Sequence, residues 1–188
     1  MKRLLILLFS LSLLISCSES DKYVKRGSAK LQIGHVEEAR ADFAKAIELD
    51  PDNIEAYKGR AFTSSGKEAI ADWTKVINSE PNKASNYIER AMDKRNIKDY
   101  KGAIADYTKV IELQPTAQGC FYSRGICKVE MGEVDGGCRD LYKATELEPL
   151  KKHSPDPNGL YDVSEKLYGQ VNTDLLREAI WKYCSRKD

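Results

Sequence analysis

Histidine is scarce in this 188-residue chain, with two residues, and so are tryptophan with two, methionine with three and proline with six; glycine stops at twelve. The histidines, His35 and His153, have no metal-ligand spacing around them and read as exposed residues of a turn and a linker. Little Gly and Pro, with no long polar runs, excludes disordered and fibrous classes. An excess of one charge is also missing, since 30 Lys+Arg oppose 29 Asp+Glu for a net charge of +1. Cleavage before Cys17 would remove Lys2 and Arg3, leaving 28 basic against 29 acidic residues and a charge of −1. So balanced a surface argues against nucleic acid as a partner, because phosphate binding needs a basic excess on one face. No Cys-x-x-Cys occurs, which argues against a redox enzyme. Gly66-Lys67 is no phosphate loop, with Ala61 and Glu68 at the defining positions. The chain is therefore expected not to be an enzyme and to need no cofactor and no metal.

What is present begins at the N-terminus. Lys2 and Arg3 precede an apolar run from Leu4 to Ile15, relieved only by Ser10 and Ser12. Twelve residues are too few for a membrane span, which takes roughly 20; a basic start, an apolar stretch and then small residues form a secretory signal. The run ends in Leu14-Ile15-Ser16-Cys17, which resembles the lipobox of bacterial lipoproteins. That resemblance implies cleavage before Cys17, acylation of its thiol and anchoring by several acyl chains. Ser18 is compatible with onward transport to the outer membrane, facing the periplasm or displayed at the surface.

The mature chain repeats itself. Pro51, Pro81, Pro115 and Pro149 close four similar segments at spacings of 30, 34 and 34 residues. Their endings, such as Lys45-Ala46-Ile47-Glu48-Leu49-Asp50-Pro51 and Lys109-Val110-Ile111-Glu112-Leu113-Gln114-Pro115, resemble those of tetratricopeptide repeats, whose 34-residue unit is a pair of antiparallel helices. Aromatics open the first helices at Tyr23, Tyr57, Tyr87 and Phe121, with Gly27, Ala61, Ala91 and Gly125 four residues on. The second helices carry Ala39, Ala69, Ala103 and Gly137, each followed four residues later by Phe43, Trp73, Tyr107 or Leu141. Small against large at this spacing lets neighbouring helices interlock. The resemblance implies an all-α fold, a right-handed superhelical stack of helix pairs (an α-solenoid) with a C-terminal capping helix. The expected organisation is a signal peptide over 1–16, a lipidated linker over 17–20 and four units over 21–53, 54–83, 84–117 and 118–149. A turn-rich linker over 150–158 and capping helices over 159–188 follow, the last with apolar Leu175, Leu176, Ala179, Ile180 and Tyr183.

One position departs from the common family pattern. Before each small residue, where an apolar group is usual, stand Arg26, Arg60, Arg90 and Arg124, and each second helix holds an Asp, at Asp42, Asp72, Asp106 and Asp140. The midpoints of these pairs are Gly34, Gly66, Lys98 and Gly132. Residues equidistant from the turn of an antiparallel hairpin face each other, so each Arg is expected to meet the Asp of its own repeat as a structural ion pair, one to one. In repeat two the separation falls from 16 to 12 about the same midpoint, so about two residues are lost from each helix.

Ser64-Ser65-Gly66-Lys67 resembles the Ser-x-x-Lys of penicillin-binding proteins, but the accompanying Ser-Asp-Asn and Lys-Thr-Gly are missing and the match is read as chance. Besides Cys17 there are Cys120, Cys127, Cys138 and Cys184, and an exported compartment permits disulfides. Cys120 and Cys127 lie seven apart on one helix, about 10.5 Å between Cα atoms, too far to bridge. Two partners stay open for Cys138, which faces the end of a capping helix at Cys184 and also lies nearly opposite Cys127 across its own turn. Similar tetratricopeptide lipoproteins join a Cys at this repeat position with a terminal Tyr-Cys, and that resemblance implies Cys138 with Cys184.

The function expected is a non-catalytic protein–protein interaction scaffold, lipid-anchored in a bacterial cell envelope and serving assembly or regulation of envelope complexes. The alternative is an envelope redox or cell-wall-linked enzyme module using its cysteines. The expected partner is an unidentified envelope protein or peptide segment, with membrane contact through the lipid alone and no nucleic acid. The carboxylate clamp of chaperone-tail binders is not expected, since Val24, Ser28, Gly59, Ser85 and Glu89 occupy the inner face. By the family pattern, first-helix positions one and five after the aromatic line the concave wall. These are Ile88 and Met92, then Tyr122 and Ile126, with Val129 one turn on, and they form the expected partner groove; the C-terminal segment or a second copy of the chain, as a homo-oligomer, are its other candidate occupants.

Overall fold

Four residues with left-handed backbone divide the chain into hairpins: Gly34 (φ 83°), Gly66 (64°), Lys98 (63°) and Gly132 (86°). They are the four midpoints of the Arg/Asp pairs. The computed structural model describes residues 19–147 and 173–185; the signal peptide, Cys17, the linker with His153 and the part of the capping segment over 159–172 lie outside them. Helix α1 runs over 19–32, followed by α2 (Val36–Leu49), α3 (Ile54–Thr63), α4 (Gly66–Ser79), α5 (Ala84–Asn96), α6 (Tyr100–Leu113), α7 (Gln118–Glu130), α8 (Val134–Glu146) and α9 (Thr173–Cys184). No strand occurs among the described residues. They fall into two compact units, one ending at Pro81 and one starting at Asn82.

Glycine adopts a left-handed turn without the cost a Cβ brings, and among the described residues Lys98 is the non-glycine residue that adopts it. Lys98→Gly is therefore expected to stabilise the protein by about 0.5–1 kcal/mol. A rise in the urea midpoint of the variant checks this.

The second helices α2, α4 and α6 end because the proline that follows each cannot continue it. The amides of Asp50, Glu80 and Gln114 close the last turns of α2, α4 and α6 on the carbonyls of Ala46, Val76 and Val110, just before Pro51, Pro81 and Pro115. Asn53 caps α3, its side chain accepting from the Ala56 amide at 3.2 Å, and Asp99 caps α6 by accepting from Gly102 at 3.0 Å. Such caps contribute about 1 kcal/mol each.

In the first unit the small and large positions meet. A Cβ at Gly27 would lie 3.0 Å from the Phe43 ring and one at Gly59 only 2.3 Å from it, so Phe43 sits between α1 and α3. Trp73 and Val76 of α4 form a second cluster with Ala61 and Ala69. In the second unit Ala91, Ala103, Tyr107 and Val110 are buried in the α5/α6 pair. Backbones come closest between α7 and α8, where a Cβ at Gly137 would lie 2.4 Å from Val129 Cγ2 and 2.7 Å from the Gly125 carbonyl. Leu176 and Ala179 of α9 complete the core with Leu141 and Ala144 of α8. Leu175, expected on this face, is instead half exposed, because it stands a quarter turn off the line of Leu176, Ala179, Ile180 and Tyr183.

Candidate functional site

The most regular feature of both units is a rung of charge. Arg60 grips Asp72 through two bonds of 2.8 and 2.7 Å, Arg90 grips Asp106 at 2.9 and 2.7 Å, and Arg124 grips Asp140 at 2.8 and 2.7 Å. Arg26 holds Asp42 in the same two-pronged way. All four carboxylates are buried. A buried carboxylate is tolerated only when paired and hydrogen-bonded, and the planar guanidinium does both.

The rungs hold two features the spacing argument did not contain. Each guanidinium also lies over the aromatic three residues before it: Tyr23 at 4.5 Å from the ring centroid, Tyr57 at 5.8 Å, Tyr87 at 5.7 Å and Phe121 at 5.4 Å. And pairing is one to one only in repeat two. Elsewhere a lysine one turn beyond the Arg joins the carboxylate: Lys30 on Asp42 at 3.0 Å, Lys94 on Asp106 at 2.8 Å and Lys128 on Asp140 at 2.7 Å. In repeat two that position is Ser64, whose buried hydroxyl has no partner among the described residues. The i,i+4 recurrence of Lys was the available signal. In the shortened hairpin Ser64 is the C-cap of α3, with extended backbone (φ −113°, ψ −179°) rather than a helical position. The Ser-x-x-Lys match of Ser64 to Lys67 falls at this same turn.

The Arg26 guanidinium, then Lys30, hold the Asp42 carboxyl below its ordinary value. A depressed carboxylate stabilises the fold above its unfolded pKa, and that contribution disappears as pH falls from there through the folded value. Asp42→Asn is expected to flatten the acid limb of the stability curve of the protein below about pH 4. Urea titrations of wild type and variant across pH 2–6 check it.

Cys138 and Cys184 are joined, with Cα atoms 5.7 Å apart, tying the end of α9 to the start of α8. Cys120 and Cys127 are free and buried. Burial pushes the Cys120 thiol up to about 12 and the Cys127 thiol up to about 11. A thiol kept protonated and covered is a poor nucleophile, the opposite of what a redox module needs.

The residues expected to line a groove take different places. Ile88 is buried, and Val129 points into the α7/α8 hairpin, filling the space left by Gly137. Tyr122 and Ile126 pack in the cluster that contains Leu176 and Ala179, so α9 covers them; Met92 stays half-buried. An open groove lies in the first unit. It has a volume of about 330 Å³, with Val24, Ser28, Leu31 and Gln32 of α1 on one wall, Glu55, Gly59 and Phe62 of α3 on the other and Phe43 as floor. Phe62 is 58% exposed although its ring meets buried Trp73 edge to face at 4.9 Å. A ring fixed by a neighbour yet open to solvent is a preorganised contact for an apolar side chain.

These features, paired helices with small residues at the crossings and a wall of first helices, define a helical-repeat protein. The profile of the family described as Tetratricopeptide repeat matches residues 23–53 and 84–116, so these two segments carry the repeat of that family. Similar solved structures include MamA AMB-1, with a TM-score of 0.67 at 17% identity over 71% of this chain and 75% of that one. MamA from Desulfovibrio magneticus RS-1 gives 0.64 at 18% identity over 72% and 78%. YrrB, titled a TPR protein with an unusual peptide-binding site, gives 0.61 at 19% identity over 87% and 86%. These likenesses concern the fold. RNA polymerase II-associated protein 3 of Rattus norvegicus is 30% identical over 90 residues, or 48% of this chain, and that of Mus musculus 38% over 47 residues, or 25%. The chain spans only 13% and 7% of the lengths of those two proteins.

Proposed function

We propose that the protein is a non-catalytic scaffold, held by lipid on Cys17 at a bacterial envelope membrane, that takes a peptide segment of an envelope protein in the α1–α3 groove. The groove carries the reading: Phe62 and the Phe43 floor offer apolar contact, while Ser28, Gln32 and Glu55 offer polar groups for the segment's backbone. YrrB, of the same fold, is a TPR protein with an unusual peptide-binding site. Anchoring rests on the Leu14-Ile15-Ser16-Cys17 motif, and no helix among the described residues is long and apolar enough to cross a membrane. The outer membrane is the proposed location, from Ser18 after the cysteine.

Two measurements test this. Fatty-acid labelling should mark the wild type, and Cys17→Ala should free the protein from membranes; label persisting in the variant rejects the anchor. A photo-crosslinking amino acid at Phe62 should give a discrete adduct in native envelopes that the same group at exposed Lys45, on α2, does not. Equal adducts from both positions reject the groove.

A further inference from the structure

Three surfaces stand outside the groove: the exposed Trp181 on α9, the lysine-assisted rungs and the disulfide end of the second unit. Trp181 stands alone, and the rungs are internally satisfied. The disulfide end carries more. Cys138 and Cys184 are partly exposed and line a cleft of about 500 Å³ with Val134, Asp135, Arg139, Tyr142 and Tyr183. A small or protein thiol can reach the bond through this cleft, whose wall carries one cation, Arg139, and one anion, Asp135. Behind the bond, α9 presents Leu176, Ala179, Ile180 and Tyr183, an i, i+3, i+4, i+7 stripe, to Leu141, Ala144, Phe121, Tyr122 and Ile126. Apart from the bond, this stripe and a long Tyr183–Glu130 hydrogen bond of 3.3 Å are what hold the helix among the described residues.

We propose that the Cys138–Cys184 bond is a reducible latch on α9, and that its reduction opens the apolar end face of repeat four to an amphipathic helix of a partner protein with the stripe that α9 itself carries. The reductant is a dithiol. One of its thiolates attacks one sulfur of the bond to form a mixed disulfide, and the other cysteine leaves as a thiolate and takes a proton. The second thiol of the reductant, as a thiolate, then attacks the reductant's own sulfur in the mixed disulfide and expels the remaining protein cysteine as a thiolate that takes a proton, so that Cys138 and Cys184 become thiols while the dithiol is oxidised to its disulfide. The end face is filled in the oxidised protein by a helix of defined pattern, which is the argument for the chemistry of its second occupant.

The test uses the whole mature protein, oxidised and after treatment with dithiothreitol. Hydrogen exchange in α9 should speed up on reduction by on the order of a hundredfold while α5 and α6 keep their protection. A fluorescent peptide of residues 173–184 carrying Cys184→Ser should bind the reduced protein and the Cys138→Ser variant but not the oxidised wild type. Unchanged exchange in α9 after the bond is shown to be broken overturns the latch, and so does peptide binding that is equal in both states. If α5 and α6 lose protection together with α9, the bond holds up the whole unit rather than its end, which also overturns the proposal. None of these outcomes depends on the α1–α3 groove.

Discussion

Cys184→Ser is expected to lower the stability of the α8–α9 end of the second unit by about 4 kcal/mol, the chain-entropy value for a bond closing the 46-residue separation between Cys138 and Cys184. The loss arises in the unfolded ensemble, which regains the freedom the bond removes, so the variant should show it even where the folded contacts of α9 survive. Cys138→Ser should match it, and the double variant should add nothing further, since both singles remove the same bond. Urea unfolding of the three variants checks the size, and non-reducing peptide mapping of the wild type checks the connectivity. A loss below about 1 kcal/mol would mean that packing of Leu176 and Ala179 holds the end helix without help from the bond.

The second large effect separates rungs that look alike. Arg60→Leu strands the Asp72 carboxylate, which has no second cation among the described residues, whereas Arg90→Leu leaves Asp106 with Lys94 at 2.8 Å. One-sided loss of a buried pair costs up to about 3–5 kcal/mol, and water at the partly exposed Arg60 edge brings the expectation for Arg60→Leu to about 3 kcal/mol. Arg90→Leu should cost roughly half of that, with the remainder appearing when Lys94 is also removed. Double-mutant cycles for Arg60/Asp72 and Arg90/Asp106 measure both. Equal coupling in the two cycles would show that the lysines contribute nothing to holding the carboxylates.

The hairpins were legible in the chain because their spacing is a matter of symmetry: the Arg/Asp midpoints coincide with the four left-handed residues, Lys98 included. The rungs were legible in part. Arg and Asp face each other across a turn, which spacing states, but Lys30, Lys94 and Lys128 reach Asp along their own helix, and a one-to-one charge count hid them. The groove was the least legible feature. Apolar character rises toward Tyr122 and Ile126 because α9 packs there, so an apolar stripe marked an internal interface rather than an open one. Phe62, the exposed ring of the open groove, stands out only once Trp73 is seen bracing it.

Phe43 belongs to two hairpins at once, since it rises from α2 and is received by Gly27 of its own repeat and by Gly59 of the next. The transferable module of this chain is therefore out of phase with its sequence repeat. A cut at Pro51 yields a hairpin with one side of Phe43 wet, whereas a cut that keeps α2 and α3 together preserves the joint. In shuffled or extended arrays, any repeat placed after repeat one must bring a glycine at the Gly59 position. A donor with even an alanine there would be rejected by the ring of its neighbour.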